Sequence, residues 1–232
     1  MDAALFSPAS LFCSHDSDDD DDDDEDDKGV QQQQLYVERT HAFPGMDLII
    51  REFSFHQLNA NLLWPGTFAF SEWLFLNQSL LCGRRILELG SGTGALAIFL
   101  QKSFGVDITT SDFDDKEIEE NIAHNCRANE LVVLPHIRYV KQYSNLIKTL
   151  SFLLEAYKPK DKIAGVANFQ VKQAVTISGK EVRLQWPLFL MSWRRRIGRE
   201  EEAHFFTGCE DAGLVTQHLG SRVYCISLKK DI

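Results

Sequence analysis

Between residues 35 and 81 the pattern of apolar and polar residues predicts two strands followed by a helix. The apolar-rich segments Leu35–Arg39 and Asp47–Phe55 flank Pro44-Gly45, a dipeptide typical of turns, which predicts a β-hairpin packed ahead of the main domain. Trp64-Pro65-Gly66 then interrupts the pattern. From Thr67 to Leu81 the apolar residues recur at spacings of three and four, which predicts an amphipathic helix.

The middle of the chain alternates between short apolar strands and helices. The predicted elements are a strand at Arg85–Leu89, a helix at Ala95–Ser103, a strand at Asp107–Ser111 closed by Asp112, and a helix ending near Asn129. We predict a capping box at the start of the last helix, with Asp114 as the cap and Glu117 reaching back. A repeated strand–helix order predicts a parallel, doubly wound α/β sheet.

The last third closes this sheet. The predicted elements are a helix at Gln142–Tyr157, a polar, irregular insertion at about residues 160–180, a strand at Phe189–Trp193, a helix at Glu200–Ala212, and strands at Val215–Leu219 and Arg222–Leu228. The two final strands flank Gly220-Ser221 and are predicted to form a C-terminal antiparallel pair on a mostly parallel sheet.

Charge separates a tail from the rest of the 232-residue chain. Ten consecutive acids occupy Asp18–Asp27, so most of the formal charge of −10 lies there, and Gln31–Gln34 follow. Self-repulsion and few apolar residues predict a disordered tail over residues 1–34, acting as a solubilising leader or binding a basic partner. Residues 35–232 are predicted as one domain, near neutral in charge, and we expect a monomer.

Composition also bounds where the protein works. No run of 18 apolar residues occurs, which predicts no membrane span. Five scattered cysteines form no C-x-x-C pair, and the seven histidines lack metal-ligand spacing, so no metal site is predicted. The scatter of the cysteines fits a reducing compartment, and we expect the cytoplasm or the nucleus.

A glycine-rich segment follows the first predicted sheet strand, and an acid stands at the end of the second. Gly90, Gly92 and Gly94 let the backbone turn sharply and approach a ligand closely. Asp112 comes 20 residues after Gly92, where a carboxylate can accept both hydroxyls of a ribose. The alternative is a strand–helix turn that needs glycines and binds no ligand.

Two nucleotide cofactors compete for this pattern. Ala95 stands three residues after Gly92 and is permitted in dinucleotide-binding loops, so the spacing alone does not exclude NAD. Glu88 lies at the entrance of the loop, where a carboxylate would repel a pyrophosphate and suit a ligand with a cationic amine and sulfonium. The residues therefore favour S-adenosyl-L-methionine.

The chain resembles the lysine methyltransferase group of seven-strand, S-adenosylmethionine-dependent enzymes. The segments that carry the resemblance are Leu87–Gly94, Leu63–Gly66, Ser111–Asp114 and Asn121–Asn125, with further similarity at Phe189–Ile197, Phe205-Phe206 and Gly220–Ile226. The resemblance implies a Rossmann-like fold and a protein lysine side chain as substrate. The implied donor site comprises Trp64, Glu88, Gly90, Ser91, Gly92, Thr93, Gly94 and Asp112.

The chain has too few residues between two of its predicted helices to form every strand of the family's sheet. Only residues 130–141 lie between two predicted helices, where the family has a third strand, a connection and a fourth strand ending in an acid. We interpret the chain as an internally deleted form, such as a splice product, with doubtful activity. We expect Leu131–Val140 to fill the central slot, and Tyr139 is the weak catalytic candidate.

Two other functions remain open at this point. A donor-binding or protein-interaction module without turnover would explain the missing acidic strand end. Arg194-Arg195-Arg196 raises a nucleic-acid methyltransferase as a further alternative, which the near-neutral body and the acidic tail disfavour.

Overall fold

The computed structural model describes residues 36–56, 60, 62–139, 146–157, 173–177, 180–193 and 199–229. Helices and strands alternate through most of this range, as the sequence predicts. The predictions for the tail at 1–34, for Arg194–Arg196 and for the start of the helix at Gln142 fall outside the described residues.

The N-terminal hairpin is confirmed. Strands β1 (Tyr36–Phe43) and β2 (Met46–Phe53) pair antiparallel with Phe43 opposite Met46, so the turn is the predicted Pro44-Gly45. Gly45 has φ of +79°, a left-handed conformation that glycine adopts without steric cost.

The next elements lie close to their predicted bounds. They are α1 (Pro65–Leu76), a 3₁₀ turn at Gln78–Leu80, β3 (Arg85–Leu89), α2 (Ala95–Phe104), β4 (Asp107–Phe113) and α3 (Lys116–Ala128). Helix α1 begins at a proline, which needs no N–H partner in the first turn. It ends five residues before the predicted Leu81, because the Asn77 side chain donates to the Trp73 carbonyl oxygen at 2.8 Å.

One capping prediction was wrong. Asp115, rather than Asp114, caps α3, and its carboxylate accepts from the Glu117 N–H at 2.8 Å. Asp114 instead forms an ion pair with Arg138 at 3.1 Å. Two adjacent aspartates offer two registers for the same cap, and the longer β4 leaves only the second one in the cap position.

The C-terminal elements also follow the predicted order. They are β5 (His136–Tyr139), α4 (Leu146–Ala156), β6 (Gln173–Ile177), β7 (Lys180–Leu184), β8 (Leu188–Ser192), α5 (Arg199–Asp211), β9 (Leu214–Gly220) and β10 (Val223–Leu228). The prediction of an irregular insertion at 160–180 was wrong for its described part, because β6 and β7 form an antiparallel hairpin there. Their β-branched residues fit a paired strand despite the polar composition.

The strands of the main sheet form two groups. Strands β3, β4 and β5 are parallel in that order, whereas β8, β10 and β9 are antiparallel in that order, which confirms the predicted C-terminal antiparallel pair. No described strand pairs with the edge of β3 opposite β4.

The expectation that residues 131–140 fill the central slot beside β3 was wrong. Strand β5 lies on the outer side of β4, with Phe113 opposite Tyr139. Only seven residues join the end of α3 to β5, and a short connection after a right-handed crossover reaches the nearest parallel neighbour more readily than a position two strands away.

Helices cover the strands on two sides and form two apolar clusters. The larger cluster joins α1, α2 and α3 to the hairpin and to one face of the sheet, with Ile98 and Phe99 fully buried. The smaller one joins α4 and α5 to the opposite face of β8 and β10, with Leu150 and Ile226 at its centre. This arrangement places the glycine-rich segment at the carboxyl end of β3, above the larger cluster.

Candidate functional site

The glycine-rich segment forms a tight loop between β3 and α2. Gly90, Gly92 and Gly94 have φ of +70°, +53° and +76°. The Ser91 N–H donates to the Ser111 carbonyl oxygen at 3.0 Å, and the Gly94 N–H donates to the Ser91 carbonyl oxygen at 2.8 Å. The loop is therefore attached to the end of β4 while it turns into the helix.

Two of these glycines have different surroundings. A Cβ at Gly94 would lie 3.0 Å from the Cγ2 of Ile122, so the close packing of α2 on α3 disfavours a side chain there. A Cβ at Gly92 would meet nothing within 4 Å, so the space above this residue is open to a ligand.

Asp112 holds the loop from the neighbouring strand. Its side chain is buried, with 5% of the residue exposed, and its Oδ2 accepts from the Gly92 N–H at 2.6 Å. Its Oδ1 accepts from the Phe113 N–H at 2.8 Å. A carboxylate can accept further hydrogen bonds from a ligand at the same oxygens, because each has two lone pairs.

Glu88 supplies a second carboxyl group at the start of the loop. Its Oε2 is buried and has no hydrogen-bond partner among the described residues, although the residue as a whole is partly exposed. The pKa of Glu88 is raised from 4.5 to about 7, mainly by burial and to a smaller extent by the nearby charge of Asp112. A cationic group beside Glu88 would satisfy this oxygen and stabilise its charged form.

A cavity of about 700 Å³ opens beside the loop. It lies between β3 and β8 under α1, and its wall includes Trp64, Glu88 and Gly90. Most of the remaining wall is apolar. Among the described residues that line it, Glu88 carries the one carboxyl group.

The structure brings most of the predicted site residues together. Seven of them lie in or beside the loop, namely Glu88, Gly90, Ser91, Gly92, Thr93, Gly94 and Asp112. Trp64, 40% exposed, precedes α1 and lines the cavity with Glu88 and Gly90. Tyr139 lies on β5, where its ring packs on Phe113 at 5.4 Å between centroids, with β4 between it and β3.

Three asparagines on α3 form part of the site's support, a role the sequence analysis did not assign. Asn129 exchanges hydrogen bonds with the Ile49 N–H and carbonyl oxygen at 3.0 and 2.7 Å. Asn125 does the same with Arg51 at 2.8 and 3.1 Å, and Asn121 also donates to the Arg51 carbonyl oxygen. The three amides therefore bond to the edge of β2 to which a neighbouring strand would otherwise pair.

Asn125 also reaches the glycine loop. Its Nδ2 donates to the Thr93 carbonyl oxygen at 2.9 Å, and the residue is fully buried. One side chain thus joins the N-terminal hairpin to the candidate site. The spacing of four between Asn121, Asn125 and Asn129 was the sequence feature that could have revealed it, because such residues share one helix face.

Part of the chain, including this arrangement, is similar to one known protein family. The family described as lysine methyltransferase matches residues 43–156, which include the hairpin, the loop and Asp112. The chain is 36% identical over 74 residues to the electron transfer flavoprotein beta subunit lysine methyltransferase of Rattus norvegicus, covering 32% of this chain and 29% of that protein.

A second relative and a solved structure are also similar. The protein-lysine N-methyltransferase EFM3 of Chaetomium thermophilum is 31% identical over 68 residues, 29% of this chain and 20% of that protein. The T. thermophilus 16S rRNA N2 G1207 methyltransferase, solved with AdoMet and guanosine, superposes with a TM-score of 0.47 and 13% identity over 85% of this chain and 51% of that one. The chain thus spans less than a third of the length of the curated relatives it matches.

None of the described helices is long and apolar enough to cross a membrane. Within the described ranges, no group of three or more His, Cys, Asp or Glu residues is placed to hold a metal ion.

Proposed function

We propose that the chain binds S-adenosyl-L-methionine and acts on a protein lysine side chain, because residues 43–156 match the family described as lysine methyltransferase. The glycine loop and Asp112 form the donor site in this proposal. The hydrogen bond from the Gly92 N–H to Asp112 carries it, since it places a buried carboxylate directly beside an open stretch of backbone.

The residues present fit each part of this ligand. Asp112 can accept the ribose hydroxyls, and the open space over Gly92 leaves room for a nucleoside close to the backbone. The buried, unpaired Oε2 of Glu88 can accept from the cationic amine of the methionine part. When bound, the donor supplies a methyl group carried on a sulfonium.

Methyl transfer of this kind is an in-line displacement, so the protein contributes mainly by positioning. A lysine chain must reach the methyl group at the glycine loop, beside Glu88 and Trp64. The apolar side chains around these two residues disfavour a charged ammonium group and so favour the neutral amine that the reaction needs. A catalytic role for Tyr139 stays a prediction.

A donor-binding module without turnover is the second candidate. It is favoured by the open edge of β3 and by the presence of a single carboxyl group, Glu88, among the described residues of the cavity wall. The described residues of that wall include no second carboxylate to orient the lysine amine. The two candidates share the donor site and differ in turnover.

Isothermal titration calorimetry with S-adenosyl-L-methionine tests the shared site. We expect Asp112→Ala to weaken binding by roughly 100-fold or more, because two charge-assisted hydrogen bonds are lost. Asp107→Ala is the matched control, since Asp107 is an exposed aspartate at the other end of β4, and it should bind like the unchanged chain. Undiminished binding by Asp112→Ala would show that the site is misassigned.

Turnover separates the two candidates. The chain is incubated with radiolabelled donor and an extract of cells that lack it, and proteins are separated and imaged. A labelled protein band that disappears with Asp112→Ala supports the methyltransferase. Donor binding in the calorimeter without any labelled band supports the module.

A further inference from the structure

Strands β3 and β8 have fewer buried residues than central strands of an α/β sheet normally have. None of the five residues of β3 is buried, and Leu87 is 37% exposed, whereas four of the seven residues of β4 are buried. All five residues of β8 are partly exposed as well. Strands covered by helices on both faces are normally buried throughout, so something that should lie between β3 and β8 is missing.

The space between them has the size of one strand. The cavity of about 700 Å³ is lined along its length by Arg85–Leu89 on one side and by Leu188–Ser192 on the other. A five-residue strand in a sheet occupies about 17 Å of length, 4.8 Å of width and 10 Å of thickness, or roughly 800 Å³. The cavity therefore fits a single five-residue strand.

The lining specifies the chemistry of that strand. Phe70, Leu74 and Leu96 face the cavity from the helix side, so the inserted residues must be apolar. Arg84 and Arg85 lie at the end where β3 begins, and the guanidinium of Arg84 stacks over the Trp186 ring at 4.1 Å. This end favours an acidic residue on the incoming segment.

The wall between the two strands includes a buried donor without a hydrogen-bond partner among the described residues, the Nε1 of Trp186. An incoming backbone brings carbonyl acceptors, so a strand would satisfy this atom where an apolar molecule would leave it buried and unsatisfied.

The described part of this chain cannot supply the missing strand. Each of its ten described strands already pairs with a neighbour, so a second copy would have to withdraw a paired strand to donate one. A separate, extended polypeptide segment meets no such cost.

We propose that the gap between β3 and β8 is a binding site for an extended segment of a partner protein. The segment places an acidic residue beside Arg85 and five β-branched or other apolar residues along the gap. It completes the sheet by adding backbone hydrogen bonds to both edges, and the side chains fill the cavity. This inference rests on the sheet geometry and not on the proposed methyl transfer.

A synthetic peptide with one Asp, five alternating Val and Ile residues and a solubilising Lys tail is the probe. Its binding to the full chain is followed by tryptophan fluorescence, since Trp186 and Trp64 line the cavity. We expect saturable binding with one peptide per chain. Replacing the central residue by Pro, which removes a backbone donor, should weaken binding at least roughly tenfold. Replacing Asp by Lys should weaken it roughly two- to fivefold at low salt.

Variants of the chain locate the site. Leu87→Lys places a charge in the gap and should abolish peptide binding, whereas Val215→Lys, at a similarly exposed position on β9, should leave it unchanged. Hydrogen exchange of residues 85–89 should slow when the peptide is added to the unchanged chain.

Four results would overturn the proposal. They are the absence of binding, equal binding of the Pro-containing peptide, strong exchange protection of residues 85–89 before any peptide is added, and a peptide-independent dimer that Leu87→Lys disrupts. The last two would assign the gap to a segment of the same chain or to a second copy.

Discussion

The two carboxyl groups of the site lie in different environments. Asp112 accepts two backbone N–H groups, whereas the Oε2 of Glu88 is buried and has no hydrogen-bond partner among the described residues. Burial raises the pKa of Glu88 to about 7. Near neutral pH this residue therefore exchanges between a neutral and a charged form, and a cationic ligand selects the charged one.

This environment predicts how donor affinity depends on pH. The ligand binds the carboxylate, so affinity should rise roughly tenfold between pH 5.5 and 7 as Glu88 loses its proton. Calorimetry within this range avoids the titration of the donor's own amine, which lies near 8. In Glu88→Gln binding should be weaker and flat across the same range, and an unchanged pH slope in that variant would assign the proton to another group.

The same shift affects the stability of the free protein in the opposite direction. The folded chain holds the Glu88 proton more tightly than the unfolded chain does, because the folded pKa of about 7 exceeds 4.5. The contribution to stability is full below pH 4.5 and is lost as the pH rises through 7. Ligand binding thus favours the charged form of Glu88, whereas folding favours its neutral form. Such opposing requirements are common at functional sites.

Gly94 tests how closely the loop packs on α3. In Gly94→Ala the alanine must adopt φ of +76° and its Cβ must lie 3.0 Å from Ile122, so we expect a loss of about 2–4 kcal/mol in the free energy of unfolding. Gly105→Ala is the matched control, because Gly105 also has positive φ but open space around it, and only about 1–2 kcal/mol should be lost. Urea unfolding measures both, and equal losses would mean that Ile122 yields without cost.

At the scale of elements, α3 connects the N-terminal hairpin to the glycine loop. Its asparagines satisfy the outer edge of β2, and Asn125 also bonds the carbonyl oxygen of Thr93 in the glycine loop. A fully buried amide with three partners is costly to remove, because each partner is left unsatisfied.

Asn125→Ala should therefore loosen the hairpin and the loop together. We expect a loss of roughly 3 kcal/mol or more in the free energy of unfolding, and faster hydrogen exchange at both residues 46–53 and residues 90–94. Arg127→Ala, an exposed change on the same helix, serves as the control and should alter neither segment. Faster exchange in the hairpin alone would show that the loop does not depend on Asn125.

Local patterns were enough to predict most elements and the donor loop. The bounds of β3 follow from five residues between a turn and a glycine, and the hairpin register follows from Pro44-Gly45. These features depend on residues close in sequence, so they are visible without the fold. The choice of Asp115 over Asp114 as cap depends on where β4 stops, which its pairing with β5 sets.

Other features depend on contacts between distant segments. The position of β5 outside β4 follows from competition between two sheet edges, and no pattern within residues 131–140 encodes that choice. The pairing of α3 asparagines with β2 joins residues 70 to 80 positions apart. The spacing of the asparagines predicts that they share one helix face, but it does not identify the strand that they contact.

For the molecule as a whole, two apolar clusters stabilise the fold, and each is centred on different helices. The larger cluster spans the gap between β3 and β8, because it includes Leu190 and Cys225 as well as Ile98. Leu89, at the end of β3, packs into the smaller cluster. Local unfolding follows cooperative units, so we expect the smaller cluster, with α4 and α5, to open separately from the larger one.

Core substitutions in each of the two apolar clusters test whether the clusters open separately. Leu150→Ala removes a fully buried side chain from the smaller cluster, and Ile98→Ala does so in the larger one; each should cost about 2–5 kcal/mol locally. Hydrogen exchange should then quicken mainly in α5 for the first variant and mainly in α2 for the second. Exchange that quickens equally in both helices, whichever cluster is changed, would mean that the chain unfolds as one unit across the gap. Donor should protect α2 more than α5, because the glycine loop leads directly into α2.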